Sequence, residues 1–180
     1  MTLEERIASL ESQVENLSNN APEDKLSMVV FTGDLDHLLA AMIIATGSSA
    51  MFEKTSLFFT FWATAALRDP KKAPPPKSLI SRMFGMMLPK GAPALKLGTM
   101  NMCGLGTGMM KGLMKKQNIL QLEELFQRAA DNGVEISVCE MSMNLMGMTK
   151  EEMIDYPGLK LAGVASFLQN AGSSKSTLFI

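Results

Sequence analysis

Apolar residues at Leu3, Ile7, Leu10, Val14 and Leu17 recur at alternating intervals of four and three, with Glu and Ser between them. This heptad seam predicts an amphipathic helix over residues 1–20, about four turns long. Two heptads are marginal alone, so the helix is expected to pack on a partner subunit or back on the rest of the chain. Residues 18–24 read as a linker, and an α/β domain is expected over 26–180. It opens with a nearly continuous apolar run at 26–32, the pattern of a parallel strand covered on both faces. Gly33 and Asp34 make a turn, and Asp34 or Asp36 can cap a helix to about residue 45. A second apolar run at 55–63 predicts another strand, with a helix starting at 64–67.

The middle of the chain breaks at the proline-rich stretch 69–76. A Met-rich amphipathic helix is predicted over 78–88, then a break at 89–93. A Gly-rich loop at 99–108 enters a helix at 109–116, and a second helix at 119–131 stops at Asn132-Gly133. Val134, Ile136 and Val138 then alternate with polar residues up to Cys139, which is strand periodicity. Helix-tolerant residues follow as far as Gly147. Thr149 and Glu152 form a T-x-x-E capping box. A strand at 159–162, a helix at 164–170 and a last strand at 176–180 complete the pattern. Strands alternating with helices imply a layered α/β domain.

Composition narrows the class. The chain has 180 residues, 47% of them apolar, with a net charge of −1, which suits a soluble globular protein with an ample core. The longest apolar stretches, 57–67 and 38–46, are too short to span a bilayer. The acidic, amphipathic start is unlike a signal peptide. Two cysteines 36 positions apart, without such a signal, read as free thiols of a reducing cytosol. Charge is uneven: residues 71–121 hold nine Lys or Arg and no acid, whereas residues 1–36 hold eight acids and two bases. The basic stretch is either a solvated face or a surface for an anionic partner, a small sulfur oxyanion or a lipid surface.

A single histidine, His37, excludes a two-histidine metal site, and no cysteine–histidine spacing matches a zinc module. No metal or cofactor is implied. His37 reads as a first-turn surface residue. The run Gly104-Leu105-Gly106-Thr107-Gly108 lacks the third glycine of the dinucleotide fingerprint and the G-K-[ST] of a P-loop. Gly104 and Gly106 are instead expected to pack closely or to line a crevice near a thiol. Nucleic-acid binding has no motif to support it. The seventeen methionines, concentrated between Met83 and Met153, suit either core filling or an adaptable partner or oligomer surface. Cys139 stands where a strand gives way to a helix. A thiol there meets free amide donors and the positive end of a helix dipole, which favour thiolate; a buried cysteine acting as a small hydrophobe is the plain alternative. With no C-x-x-C, a dithiol site is unsupported, and Cys103 remains a second candidate thiol.

Several separated motifs, in one order, resemble the DsrE/DsrF/DsrH-like family, in particular its DsrE-type members sometimes labelled peroxiredoxins. They are Val30-Phe31-Thr32-Gly33-Asp34-Leu35-Asp36, then Phe61-Trp62 with Leu67-Arg68-Asp69-Pro70. Met100-Asn101-Met102 with Gly104-Leu105-Gly106 follows, then Val138-Cys139-Glu140-Met141-Ser142 with Met146-Gly147, and finally Leu178-Phe179-Ile180. The P-x-x-x-T-x-x-C signature of true peroxiredoxins is absent. The resemblance covers residues 26–180 and leaves the heptad helix outside. It implies a flavodoxin-like three-layer α/β/α fold with a mostly parallel five-stranded sheet, usually oligomeric. It also implies sulfur transfer, in which Cys139 carries sulfane sulfur as a persulfide or thiosulfonate and hands it to a cysteine of a carrier or sulfurtransferase partner. Cys103 stands where relatives often have glycine, so the resemblance gives it no role. Gly33, Asp34, Trp62, Gly104, Gly106 and Ser142 are expected to line the crevice, because ligands of open α/β sheets gather at the carboxyl ends of strands. The alternative is an oligomeric scaffold docked to a partner or a membrane surface through the basic, Met-rich segment.

Overall fold

The computed structural model describes residues 2–76 and 79–180. Five strands form one sheet: β1 (Glu23–Val30), β2 (Lys54–Phe59), β3 (Glu135–Cys139), β4 (Lys160–Ala162) and β5 (Ser174–Phe179). Their order is β4-β3-β2-β1-β5, and every neighbouring pair is parallel. β1 is thus internal and buried from Lys25 to Val30, as its continuous apolar run requires.

The two faces of the sheet differ in chemistry. Leu26, Met28 and Val30 of β1 alternate onto the same face as Leu57 and Phe59 of β2 and Ile136 and Val138 of β3. Two helices cover that face: α2 (Leu35–Ser48), through Leu38, Ala41, Met42 and Ala45, and α5 (Leu122–Asp131), through Leu125, Phe126 and Ala129. Phe59 meets Phe126 with ring centroids 6.1 Å apart. Each such buried side chain contributes about 1.5–3 kcal/mol, so this face carries most of the stability. The opposite face is polar at its centre: the Ser27 hydroxyl lies 3.2 Å from that of Ser56 and 2.7 Å from that of Ser174. Here Phe58 stacks on Phe167 of α7 (Val164–Gly172), ring centroids 5.2 Å apart. Helices therefore flank the sheet on both sides, the three-layer flavodoxin-like architecture.

Several boundaries differ from the sequence pattern: the expected linker 18–24 shrinks to residues 20–22 because α1 runs to Asn19 and β1 begins at Glu23, and β1 stops at Val30, short of 32. The second strand ends at Phe59, and the expected strand residues Phe61, Trp62 and Ala63 instead open a 3-10 helix, Phe61–Leu67. Phe61 takes a left-handed φ of 44°, and the Ala63 amide donates to the Phe31 carbonyl at 3.1 Å, folding the chain across the end of β1. The Gly-rich segment becomes helical early, in α4 (Leu105–Lys116), after a 3-10 turn, Met102–Gly104. Local bonds start it: the Gly104 and Gly106 amides both donate to the Asn101 carbonyl, and the Thr107 hydroxyl donates to the Asn101 side chain at 2.7 Å. The Met-rich helix is α3 (Leu79–Met87); its expected start at Ser78 lies outside the described residues.

The heptad helix is α1 (Leu3–Asn19), started by a reciprocal capping box in which Thr2 accepts from the Glu5 amide and Glu5 accepts from the Thr2 amide. It does not fold back on the sheet: all five seam residues are exposed.

Candidate functional site

Because all strands are parallel, their carboxyl ends share one edge. Cys139 closes β3 there and is the N-cap residue of α6 (Glu140–Leu145). In extended conformation at this junction, it points its thiol at groups of two elements. The polar groups of Ser142, Thr60 and Met141 lie around the sulfur, although the Cys139 side chain makes no capping bond of its own. The two hydroxyls are bonded to each other, Thr60 Oγ1 to Ser142 Oγ at 2.9 Å, which leaves one hydroxyl hydrogen of the pair for the sulfur. Burial pushes the Cys139 thiol up, but these polar neighbours, Ser142 foremost, together outweigh it and hold it below the ordinary thiol value. A six-residue helix offers little dipole, so the cradle works through local hydrogen bonds.

Cys139 is only 1% exposed and Ser142 0%, so the expected open crevice is absent in this conformation. The thiol is therefore covered in this conformation. Thr60 is the residue that sequence reasoning missed. Its signal was its position, directly after the apolar run Leu57-Phe58-Phe59, where a strand ends and a hydroxyl can turn towards the neighbouring strand's loop.

The other expected residues fall into two groups. Gly33 abuts the turn carrying Trp62: a Cβ there would lie 2.6 Å from the Trp62 carbonyl oxygen. Trp62 is half exposed on this edge, two residues from Thr60. Asp34 precedes α2 without making a side-chain cap, and Gly98 fits against its carboxylate while donating its amide to Asp36 at 3.0 Å. His37, exposed, has Nδ1 3.9 Å from Asp34 and 3.8 Å from Asp36. Gly104 and Gly106 are not placed against the thiol; their described contacts lie in their own loop, where a Cβ on Gly106 would overlap the Met100 carbonyl. That loop is tied to the α2 end of the edge by the Leu97 amide, which donates to the Thr107 hydroxyl at 3.0 Å. Cys103 sits on it, exposed, with a left-handed φ of 55° beside Met100, Met102 and Gly104, all likewise at positive φ. Both cysteines are free.

Beside this edge, α3 is held from beneath. Arg68 donates to the carbonyls of Gly85, Leu88 and Pro89 and pairs with buried Glu152 at 3.2 Å. The cavity of about 570 Å³ lined by Arg68, Ser81, Gly85, Lys90 and Glu152 is therefore a poor anion receptor, its guanidinium already occupied. The start of α3 touches the turn that ends α6: Gly147 has a φ of 63°, and a Cβ there would lie 2.5 Å from that of Ser81. The surface of α3 and α4 mixes apolar side chains with Lys115 and Lys116, and all seven methionines from Met83 to Met110 are exposed. Ordinary core filling accounts for none of these seven.

Among the described residues, no helix is long and apolar enough to cross a membrane, and no group of three or more His, Cys, Asp or Glu is arranged to hold a metal ion. A profile of the DsrE/DsrF/DrsH-like family matches residues 22–179. An uncharacterized protein of Bacillus subtilis (strain 168), YrkE, is 39% identical over 156 residues, covering 87% of this chain and 96% of its own. The sulfur carrier protein DsrE2 of Allochromatium vinosum is 33% identical over 162 residues, covering 88% of this chain and 99% of its own. With its parallel sheet and these matches across nearly the whole α/β body, the chain belongs to the DsrE/DsrF/DrsH-like family.

Proposed function

We propose that this protein is a sulfur-relay protein that carries one sulfane sulfur on Cys139 and passes it to a partner thiol. The observation that carries the reading is the place of Cys139 at the carboxyl end of β3 and the start of α6, where the polar groups of Ser142, Thr60 and Met141 hold its thiol below the ordinary value despite burial. It favours thiolate, the nucleophile of sulfur exchange, without any acid–base residue. In loading, the Cys139 thiolate attacks the outer sulfur of a donor persulfide, R–S–SH. The new S–S bond forms on Cys139 as the donor's S–S bond breaks, and RS⁻ leaves. In delivery, an acceptor thiolate attacks the outer sulfur of Cys139–S–SH; Cys139 leaves as thiolate, which the same groups stabilise. Each step moves a zero-valent sulfur, and no electrons are gained or lost overall. The relationship to a protein named a sulfur carrier supports the same reading.

Incubation with thiosulfate, tetrathionate or polysulfide, followed by intact mass, tests it. Wild type is expected to gain sulfur and Cys139→Ala to gain none; the mass added also separates a persulfide from a thiosulfonate. Equal uptake by Cys139→Ala would remove Cys139 as carrier.

The exposed methionines of α3 and α4, set among basic residues, favour a second reading: a scaffold docking to a partner or to an anionic membrane surface. Flotation with anionic liposomes at low and high salt tests its membrane form, and absence of binding at both ends it.

A further inference from the structure

The seam of α1 is independent of the sulfur site and lies outside the family match at 22–179. It has two and a half heptads of apolar residues, all exposed, on a helix that starts with its own capping box. Its residues say which partner would suit it. With Leu3, Leu10 and Leu17 assigned to heptad position d, position a is filled by Ile7 and Val14. A β-branched residue at a with Leu at d is the combination that favours a parallel, two-stranded coiled coil.

The flanking charges choose the same orientation. Position e holds Glu4, Glu11 and Ser18, and position g holds Arg6, Gln13 and Asn20. In a parallel pair, a g residue faces the e residue of the next heptad on the other helix. Arg6 then meets the partner subunit's Glu11, twice by symmetry, and Gln13 meets the partner's Ser18. In an antiparallel pair, e residues face e residues, which sets Glu11 against the partner's Glu4 or the partner's Glu11 according to register. We propose that α1 joins two copies of this chain as a parallel, in-register coiled coil, Ile7 and Val14 at its a layers and Arg6 paired with the partner's Glu11.

The geometry suits the relay. Only Asn20, Ala21 and Pro22 separate α1 from β1, so each copy is tethered by the amino-terminal edge of its sheet. Cys139 is at the opposite, carboxyl edge. The coil therefore doubles the carriers without covering either thiol edge. Because the seam is short, the close tether of the two bodies also matters to its strength.

Disulfide trapping on the full-length chain tests this, in a Cys103→Ser, Cys139→Ala background so that each added cysteine is alone. Leu3→Cys and Leu17→Cys are each expected to form a covalent homodimer under mild oxidation at micromolar concentration. Adding Ile7→Asp should reduce that trapping at least tenfold while far-UV circular dichroism shows the α/β body still folded. Arg6→Glu should weaken trapping, and Arg6→Glu with Glu11→Lys should restore it. Cross-links only in mixtures of the Leu3→Cys and Leu17→Cys chains would mean an antiparallel pair and overturn the proposal. Absence of trapping at both positions would also overturn it.

Discussion

The neighbourhoods of Cys139 and Cys103 make a natural experiment within one chain. Cys103 is exposed on a loop whose backbone is left-handed at Met100, Met102, Cys103 and Gly104. Cys139 is buried, yet the polar groups of Ser142, Thr60 and Met141 around it favour its thiolate. An ordinary reading of reactivity would choose the accessible thiol. The structure separates access from activation: Cys103 has the access, and Cys139 has the donors. A relay thiol benefits from that separation, because a sheathed persulfide is protected from stray thiols between loading and delivery.

The sharpest break of the comparison is to remove each sulfur in turn. Cys139→Ala is expected to abolish uptake of sulfur from polysulfide, measured by mass. The next largest effect is structural. Gly33→Ala forces a Cβ against the Trp62 carbonyl, 2.6 Å away, and is expected to cost about 1–3 kcal/mol in denaturant unfolding. Since Thr60 sits two residues before Trp62, the same change should also slow alkylation of Cys139.

Removing single donors is gentler. A hydrogen bond to a charged group is worth about 1.5–3 kcal/mol, so Ser142→Ala should slow iodoacetamide alkylation of Cys139 near neutral pH by about tenfold, and Thr60→Val by somewhat less. In both, the alkylation profile should shift to higher pH, since fewer donors oppose burial. The folded thiol titrates below the unfolded one. Ionisation of Cys139 therefore adds nothing to stability at a pH below the folded value. Its contribution grows as pH rises through that value and is complete above the ordinary thiol range. Loss of either hydroxyl should flatten that rise. The smallest effect is expected from Cys103→Ala, with sulfur uptake within about twofold of wild type. A bulky disulfide reagent should nevertheless modify Cys103 well before Cys139 in the native protein.

Much of this was legible in the chain. The alternation of Val134, Ile136 and Val138 ending at Cys139, and the unbroken apolar run of β1, mark strands because burial on one face or two imposes those periods. Heptad spacing marked α1 for the same reason. The turn at Phe61 was not legible: an apolar run continues straight through it, and only a left-handed φ and the bond from Ala63 to Phe31 end the strand. The early start of α4 was hidden because glycine is a poor helix former, and its local bonds to Asn101 depend on tertiary placement. At the site, Ser142 was readable from its nearness to Cys139. Thr60, 79 positions away in the chain, reaches the thiol only through the β2–β3 pairing. The burial of Cys139 was also out of reach, since neighbouring residues in sequence do not say what covers a loop.

The most direct test of the relay is to find where the sulfur sits. Wild-type protein is loaded with polysulfide, residual thiols and persulfides are capped with iodoacetamide, and peptides carrying Cys139 and Cys103 are weighed. The account predicts the extra sulfur on the Cys139 peptide and its loss when an acceptor thiol is added before capping. Extra sulfur confined to the Cys103 peptide would contradict it.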